Sequence, residues 1–179
     1  KLDTDGNSWS DEHFEAIGNC AGPLSLGCGG FGEEPSQAIS AKQLMYLRNQ
    51  DLTLEYITAL DDSCHESIKG RTGALYLPAL DSISPSVAEA LSTINSLEVG
   101  NISELDILTR LIGSNSPTRT LSISTKYIGD DIGKVLNSFE GNLKLNGAIY
   151  ISQNAAKLLS EKIGSLDFGH VDSIYIENN

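Results

Sequence analysis

Seven short apolar triplets recur along the chain at nearly constant spacing. In each triplet two aliphatic or aromatic residues flank a third residue, which is the alternation expected of a strand with one buried face. The triplets begin at Leu24, Leu52, Leu75, Leu97, Leu121, Leu143 and Leu166. Their successive starts differ by 28, 23, 22, 24, 22 and 23 residues, so every interval after the first lies between 22 and 24. A period of this length predicts a repeat architecture.

A second set of positions after each triplet predicts a helix. Eight residues after the first Leu of a triplet come Leu60, Ile83, Leu105, Ile151 and Ile174, with Ile128 one residue earlier. The residue after these apolar positions is usually of a type that caps helices, because its side-chain oxygen accepts a hydrogen bond from a free amide of the first turn. By the same logic Ser10 follows Trp9 and Ser40 follows Ile39. We therefore expect helix N-caps at Ser10, Ser40, Asp61, Ser84, Asp106 and Ser152.

Each repeat unit therefore predicts a short strand, a turn, a capped helix and a return. One such unit cannot bury its own apolar face, whereas stacked units share a core. The predicted fold class is α/β, a solenoid with parallel short strands on one face and helices on the other. We predict a single repeat domain over residues 1–179, with a partial unit at 1–23, units starting near 24, 52, 75, 97, 121 and 143, and a strand-only remnant at 166–179.

The repeat frame, Leu-x-Leu-x-x-Leu/Ile-x-x-Leu/Ile, resembles that of the leucine-rich repeat superfamily. Residues 83–91, Ile-Ser-Pro-Ser-Val-Ala-Glu-Ala-Leu, are most similar to divergent bacterial repeats of 22 to 24 residues. The resemblance covers nearly the whole chain. It implies a leucine-rich-repeat-like solenoid whose concave sheet face is the recognition surface.

Side chains alternate between core and surface along a strand, so the strands present two outward rows. The first row holds Ser25, Thr53, Tyr76, Glu98, Ser122, Lys144 and Asp167, and the second holds Gly27, Glu55, Pro78, Gly100, Ser124, Asn146 and Gly169. From these rows we select Thr53, Glu55, Tyr76, Glu98, Ser122 and Lys144 as candidate partner-binding residues. Hydroxyls and carboxylates suit a polar or cationic partner, here a protein or a glycan. The alternative is that the rows are polar only because they are solvated.

The charge balance limits the classes of partner. The chain has 12 basic and 24 acidic residues, a net charge of −12. This balance excludes nucleic acid, because phosphate binding needs a cationic face. Since no apolar run approaches the ~18 residues of a spanning helix, we expect no membrane insertion. Few lysines among many Ser, Asn, Gly and Asp residues favour a secreted or cell-surface location.

Two motifs resemble ligand sites. Residues 27–32, Gly-Cys-Gly-Gly-Phe-Gly, match the dinucleotide fingerprint. Glu33 and Glu34, however, would repel a pyrophosphate. We therefore interpret residues 27–32 as an insertion loop and predict no cofactor. Asp3, Asp5 and Asn7 begin like a calcium loop. The Gly and Glu that such a loop needs later are absent, so we predict no metal site, with these three residues as the candidate ligands if calcium binds.

No catalytic constellation emerges from the sequence. His13, His65 and His170 fall in different units, and the adjacent residues Cys64 and His65 would point about 100° apart on a helix. We therefore predict a protein that is not an enzyme. The thiols of Cys20, Cys28 and Cys64 cannot all pair within one chain, which leaves a Cys20–Cys28 disulfide or free thiols open.

A structural role is the alternative to recognition. The last triplet is followed by Ile174 and Ile176 with no closing helix, so the strand edge there would invite head-to-tail stacking of copies. Such a homo-oligomer would be a filament or a surface layer. A third possibility, that the chain is a fragment of a longer repeat array, explains the missing cap equally well.

Overall fold

Strands and helices alternate along the chain in the computed structural model, which describes residues 10–19, 22–26, 39–113, 117–169 and 175–177. The helices in these ranges are α1 (Asp11–Gly18), α2 (Ala41–Tyr46), α3 (His65–Ile68), α4 (Pro85–Leu91), α5 (Leu105–Ile112), α6 (Asp130–Asn137) and α7 (Gln153–Ser160). The strands are β1 (Leu24–Leu26), β2 (Leu52–Leu54), β3 (Ala59–Leu60), β4 (Leu75–Leu77), β5 (Ser82–Ile83), β6 (Ser96–Val99), β7 (Thr120–Ser124), β8 (Tyr127–Ile128), β9 (Asn142–Asn146), β10 (Tyr150–Ser152), β11 (Leu166–Asp167) and β12 (Tyr175–Glu177).

The seven predicted triplets form one parallel sheet. Its strand order is β1-β2-β4-β6-β7-β9-β11, which is also their order in the chain. The pairing is in register from one triplet to the next: Leu24, Leu52, Leu75, Leu97, Leu121, Leu143 and Leu166 follow one another across the sheet. The predicted strands and their spacing are therefore confirmed.

Short strands that follow the triplets form two smaller parallel sheets. In one, β3 pairs with β5, so that Leu60 lies beside Ile83. In the other, β10 lies between β8 and β12, and Ile151 pairs with Ile128 and Ile176. Ile176 thus takes the position in the sheet that the sequence predicts for Ile174, because it lies ten residues after Leu166 instead of eight. Ile174 itself lies outside the described residues.

The leucines of the sheet and the apolar stripes of the helices share one core. Leu52, Leu75, Leu121 and Leu143 have no exposed surface, and the buried residues of the helices belong to the same cluster. Burying one such side chain contributes about 1.5–3 kcal/mol. Neighbouring helices pack in chain order from α1 to α7. In the described ranges the chain is therefore an α/β protein with a seven-stranded parallel sheet and seven helices.

Most helices begin where the sequence predicts. The hydroxyls of Ser40, Ser84 and Ser152 each accept a hydrogen bond from the backbone N–H three residues later, and Ser10 precedes α1. Asp61 accepts a hydrogen bond from the Ser63 N–H at 2.9 Å, at the start of a short 3-10 turn.

The prediction for α5 is wrong. This helix begins at Leu105 with Glu104 as its N-cap, and Asp106 lies inside the first turn. Leu105 is 43% exposed, while Ile102 is buried. The described structure has no second short strand between β6 and α5, so the chain enters the helix directly after Ile102 and Leu105 falls on the solvent side.

Aspartates at the first residue of a helix contact the second residue of the next helix. Asp11 pairs with Lys42 at 2.7 Å, and Asp130 accepts from the Asn154 amide at 2.8 Å. Asp62 accepts from the Ser86 hydroxyl in the same way. Hydrogen bonds from Ser84 and Ser86 lower the pKa of Asp62. Those from Asn154 and Ser152 lower the pKa of Asp130.

Cationic side chains bind the backbone where one unit returns to the next strand. Arg119 donates to the carbonyls of Ile94 at 3.0 Å and Leu111 at 2.7 Å, and it lies over the Phe139 ring. Arg71 likewise donates to the carbonyls of Leu47 and Gln50. Lys162 donates to the carbonyl of Gly141 at 2.8 Å. Burial lowers the pKa of each arginine to about 10, so both remain charged at neutral pH.

Removal of the Arg119 guanidinium should destabilise the fold. Arg119→Met leaves buried carbonyls without a donor, each costing about 1–3 kcal/mol, so we expect a loss of about 3 kcal/mol in the free energy of unfolding. Urea unfolding followed by circular dichroism measures it. The control Arg48→Met changes an exposed arginine and should alter stability by less than about 0.5 kcal/mol. Equal losses of unfolding free energy in the two variants would contradict the role of Arg119 as a donor to these carbonyls.

The aspartate contacts should make stability fall in acid. Because the pKa of Asp62 and Asp130 is lowered on folding, their contribution is complete above the unfolded value of about 3.9 and is lost as pH falls through the folded value. We expect Asp62→Asn/Asp130→Asn to lower the melting temperature at pH 7 and to differ less from the parent chain at pH 3. Asp81→Asn, an exposed aspartate, is the control. The same deficit at both pH values would disprove the linkage.

Candidate recognition face

The first predicted row of outward residues is present as one line across the sheet. Ser25, Thr53, Tyr76, Glu98, Ser122, Lys144 and Asp167 are paired in register from strand to strand. Adjacent strands of a sheet lie about 4.8 Å apart, so neighbouring members can contact the same ligand. We call this line the polar row.

Members of the polar row differ in exposure. Lys144 is exposed, whereas Thr53, Tyr76 and Glu98 are half-buried. Ser122 is only 6% exposed, because the Asn146 amide donates to its hydroxyl at 2.8 Å and covers it. Ser122 therefore lies in the row as expected but is not an accessible hydroxyl.

Gly100, a member of the second row, lies close to the backbone of the preceding unit. A Cβ atom on Gly100 would lie 2.4 Å from the carbonyl oxygen of Leu80 and 2.8 Å from that of Pro78, so only glycine fits. Farther along, Ser124 and Asn146 are in register on β7 and β9. Gly27 of this row lies outside the described residues. At Gly100 the second row therefore lies close to the backbone of the preceding unit.

Two adjoining depressions lie along the polar row. The first, which we call the acidic depression, has a volume of about 560 Å³ and is lined by Thr53, Glu55, Tyr56, Tyr76, Pro78 and Glu98. The second, the mixed depression, has a volume of about 320 Å³ and is lined by Tyr76, Ser96, Leu97, Glu98, Thr120, Ser122, Lys144, Asn146, Asp167 and Gly169. Tyr76 and Glu98 border both. All six candidate binding residues thus line one continuous surface.

Tyr56 was not among the sequence candidates. It directly follows Glu55, where the chain turns after β2, and strand alternation says nothing about which side a turn residue takes. An aromatic residue at the end of a strand beside an acidic one is a signal that could have marked it. In the structure its side chain joins Tyr76 in the acidic depression.

The charges of the two depressions differ. Among the described residues, the carboxylates of Glu55 and Glu98 take part in no ion pair and no hydrogen bond. Lys144 places a positive charge in the mixed depression. The face is therefore negative at one end and of mixed charge in its middle.

The other sequence candidates that the structure describes make separate contacts. The ring Nδ1 of His13 contacts Ser10, and that of His65 lies 3.0 Å from Glu66. Cys64 is buried as a free thiol, and burial raises its pKa. Within the described ranges there is no group of three or more potential metal ligands. Asp3, Asp5, Asn7, Cys20, Cys28 and His170 lie outside those ranges.

An apolar groove lies beside β11, and we call it the end groove. It has a volume of about 310 Å³ and is lined by Ile151, Ala156, Leu159, Ser160, Leu166, Phe168 and Ile176. Ile176 is 56% exposed, and among the described strands β11 pairs only with β9. Of the two predicted edge residues, Ile176 therefore lies at an exposed strand.

Three exposed tyrosines form a column on the sheet of β8, β10 and β12. Tyr127, Tyr150 and Tyr175 are paired in register, and the rings of Tyr150 and Tyr175 are stacked with their centres 5.5 Å apart. This column was not among the sequence predictions, although a tyrosine immediately precedes the regularly spaced isoleucine in both Tyr127-Ile128 and Tyr150-Ile151.

Comparison with known proteins gave no relationship. A scan against protein-family models, a search of curated proteins and a search of solved structures found no match to this chain. In the described part of the chain, no helix has the length and apolar character needed to cross a membrane.

Proposed function

We propose that this protein is a non-enzymatic recognition module that binds a protein or glycan partner through the polar row. The observation that carries the proposal is the position of Tyr76 and Glu98, which border both depressions at once. A half-buried aromatic ring beside a carboxylate gives a ligand both apolar contact and a strong hydrogen-bond acceptor. The remaining candidate residues extend this contact along the face.

A leucine-rich-repeat-like solenoid is the architecture that we propose for this module. The chain order of the seven strands, their register and the chain order of the packed helices support it. In such a stack each unit contributes one residue to each row, so a binding face grows by one position with every repeat. The acidic composition, with few lysines, supports a secreted or cell-surface setting for this role.

The proposal is tested by selecting ligands for the full chain from a random peptide library and a glycan array. We expect Tyr76→Ala and Lys144→Glu each to weaken retained ligands about tenfold, a loss of about 1.4 kcal/mol. Lys134→Glu makes the same charge change on α6 and should leave binding unchanged. Melting temperatures of all variants exclude unfolding as the cause. If retained ligands ignore Tyr76, Lys144, Glu55 and Glu98, the proposed face is wrong.

A structural subunit that assembles head to tail is the second candidate. The end groove favours it, because Leu166 and Phe168 are only half-buried and the N–H and C=O groups of β11 lack a described partner strand on one side. An apolar surface of this kind fits the helix and strand of another repeat unit. That unit would belong either to a second copy or to a longer repeat array.

Light scattering over a range of concentrations tests this second candidate. Assembly through the end groove predicts a mass that grows with concentration above the 19.1 kDa of one chain. Ile176→Asp should return the mass to that of one chain, because a carboxylate in the groove would be buried without a partner. Met45→Asp, at an exposed methionine of α2, should have no effect. A constant 19.1 kDa mass for the parent chain would rule out self-assembly.

A further inference from the structure

The acidic depression combines two negative charges with aromatic walls. Glu55 follows β2 and Glu98 lies on β6, while Tyr76 lies on β4 between them. Two strand spacings separate the strands of the carboxylates, which is on the order of 10 Å. A ligand between Glu55 and Glu98 therefore lies against the Tyr76 side chain.

The lining of this depression is complementary to a cation. Its residues are Thr53, Glu55, Tyr56, Tyr76, Pro78 and Glu98, so its charged groups are both carboxylates. Neither carboxylate has a cationic partner among the described residues. Tyrosine rings attract cations to their faces, and apolar walls pack against the alkyl part of a long side chain.

We infer that the acidic depression binds the side chain of an arginine in an extended segment of a partner protein. A guanidinium group can bond a carboxylate through two parallel N–H donors while it stacks on an aromatic ring, and an ammonium group cannot do both. A neutral sugar could make hydrogen bonds here but carries no charge that matches the two carboxylates. The net charge of −12 also draws a basic segment toward the molecule. This inference rests on the recognition role proposed above.

The test is a titration of the full, ¹⁵N-labelled chain followed by NMR. The probes are the acetylated and amidated pentapeptide Gly-Ser-Arg-Ser-Gly and the same peptide with neutral, isosteric citrulline in place of arginine. At millimolar concentration the arginine peptide should shift the amide signals of Thr53, Tyr76 and Glu98, and the citrulline peptide should not. Added salt should weaken the binding.

Charge-matched variants separate a site from general attraction. Glu55→Gln/Glu98→Gln removes both carboxylates, and we expect the arginine peptide to bind about fivefold more weakly to it. Glu140→Gln/Glu161→Gln makes the same change in net charge at exposed positions away from the row and should bind as the parent chain does. Equal weakening in the two double variants would overturn the inference, because the attraction would then be non-specific.

Three further outcomes would overturn the inference. The first is the absence of shifts at Thr53, Tyr76 and Glu98, and the second is equal binding of the citrulline peptide. The third is a glycan whose binding depends on Tyr76 and persists in Glu55→Gln/Glu98→Gln, which would assign the depression to a sugar. Each of them leaves the recognition role standing. That role fails only if the ligands selected from the library and the array ignore the polar row.

Discussion

Buried carbonyl groups at the returns between units are the constraint on which the stacking of several units depends. A chain that reverses next to its own core leaves backbone oxygens away from water, and these must be hydrogen-bonded. Arg71, Arg119 and Lys162 supply the donors from the next unit along the chain. Each of these bonds holds two successive units together at their returns. The strands of the same units pair in register in the parallel sheet.

Because the strands pair in register, residues at the same position of successive units form one continuous surface. Residues at equivalent positions become neighbours across the strands, although they are 22 to 24 residues apart in the chain. One position gives the leucine core, another the polar row and a third the tyrosine column. The aspartate contacts between helix starts repeat on the same principle. A ligand bound to the polar row, as proposed, would contact several units at once, and its specificity would arise from the combination of their residues.

The strands and most helix starts could be predicted because they depend on local chemistry. Alternating leucines and capping serines mark a strand or a helix start within a few residues of sequence, so local patterns are enough to predict them. The failures involve neighbouring units or chain length. Ile102 rather than Leu105 enters the core because α5 starts without a preceding short strand, and Ile176 takes the place expected of Ile174. The cover over Ser122 depends on Asn146 of the next unit. The spacing of residues in the sequence does not specify any of these contacts.

The stacked rings of Tyr150 and Tyr175 have a spectroscopic consequence. Two tyrosines held 5.5 Å apart, with their planes inclined by 26°, couple their electronic transitions and give a near-ultraviolet circular dichroism signal that isolated rings lack. A shift of β12 by one residue would carry Tyr175 to the opposite side of its sheet and separate the pair. The near-ultraviolet circular dichroism of these two side chains should therefore report whether the last described strand is aligned, a property that total helix and strand content would not reveal.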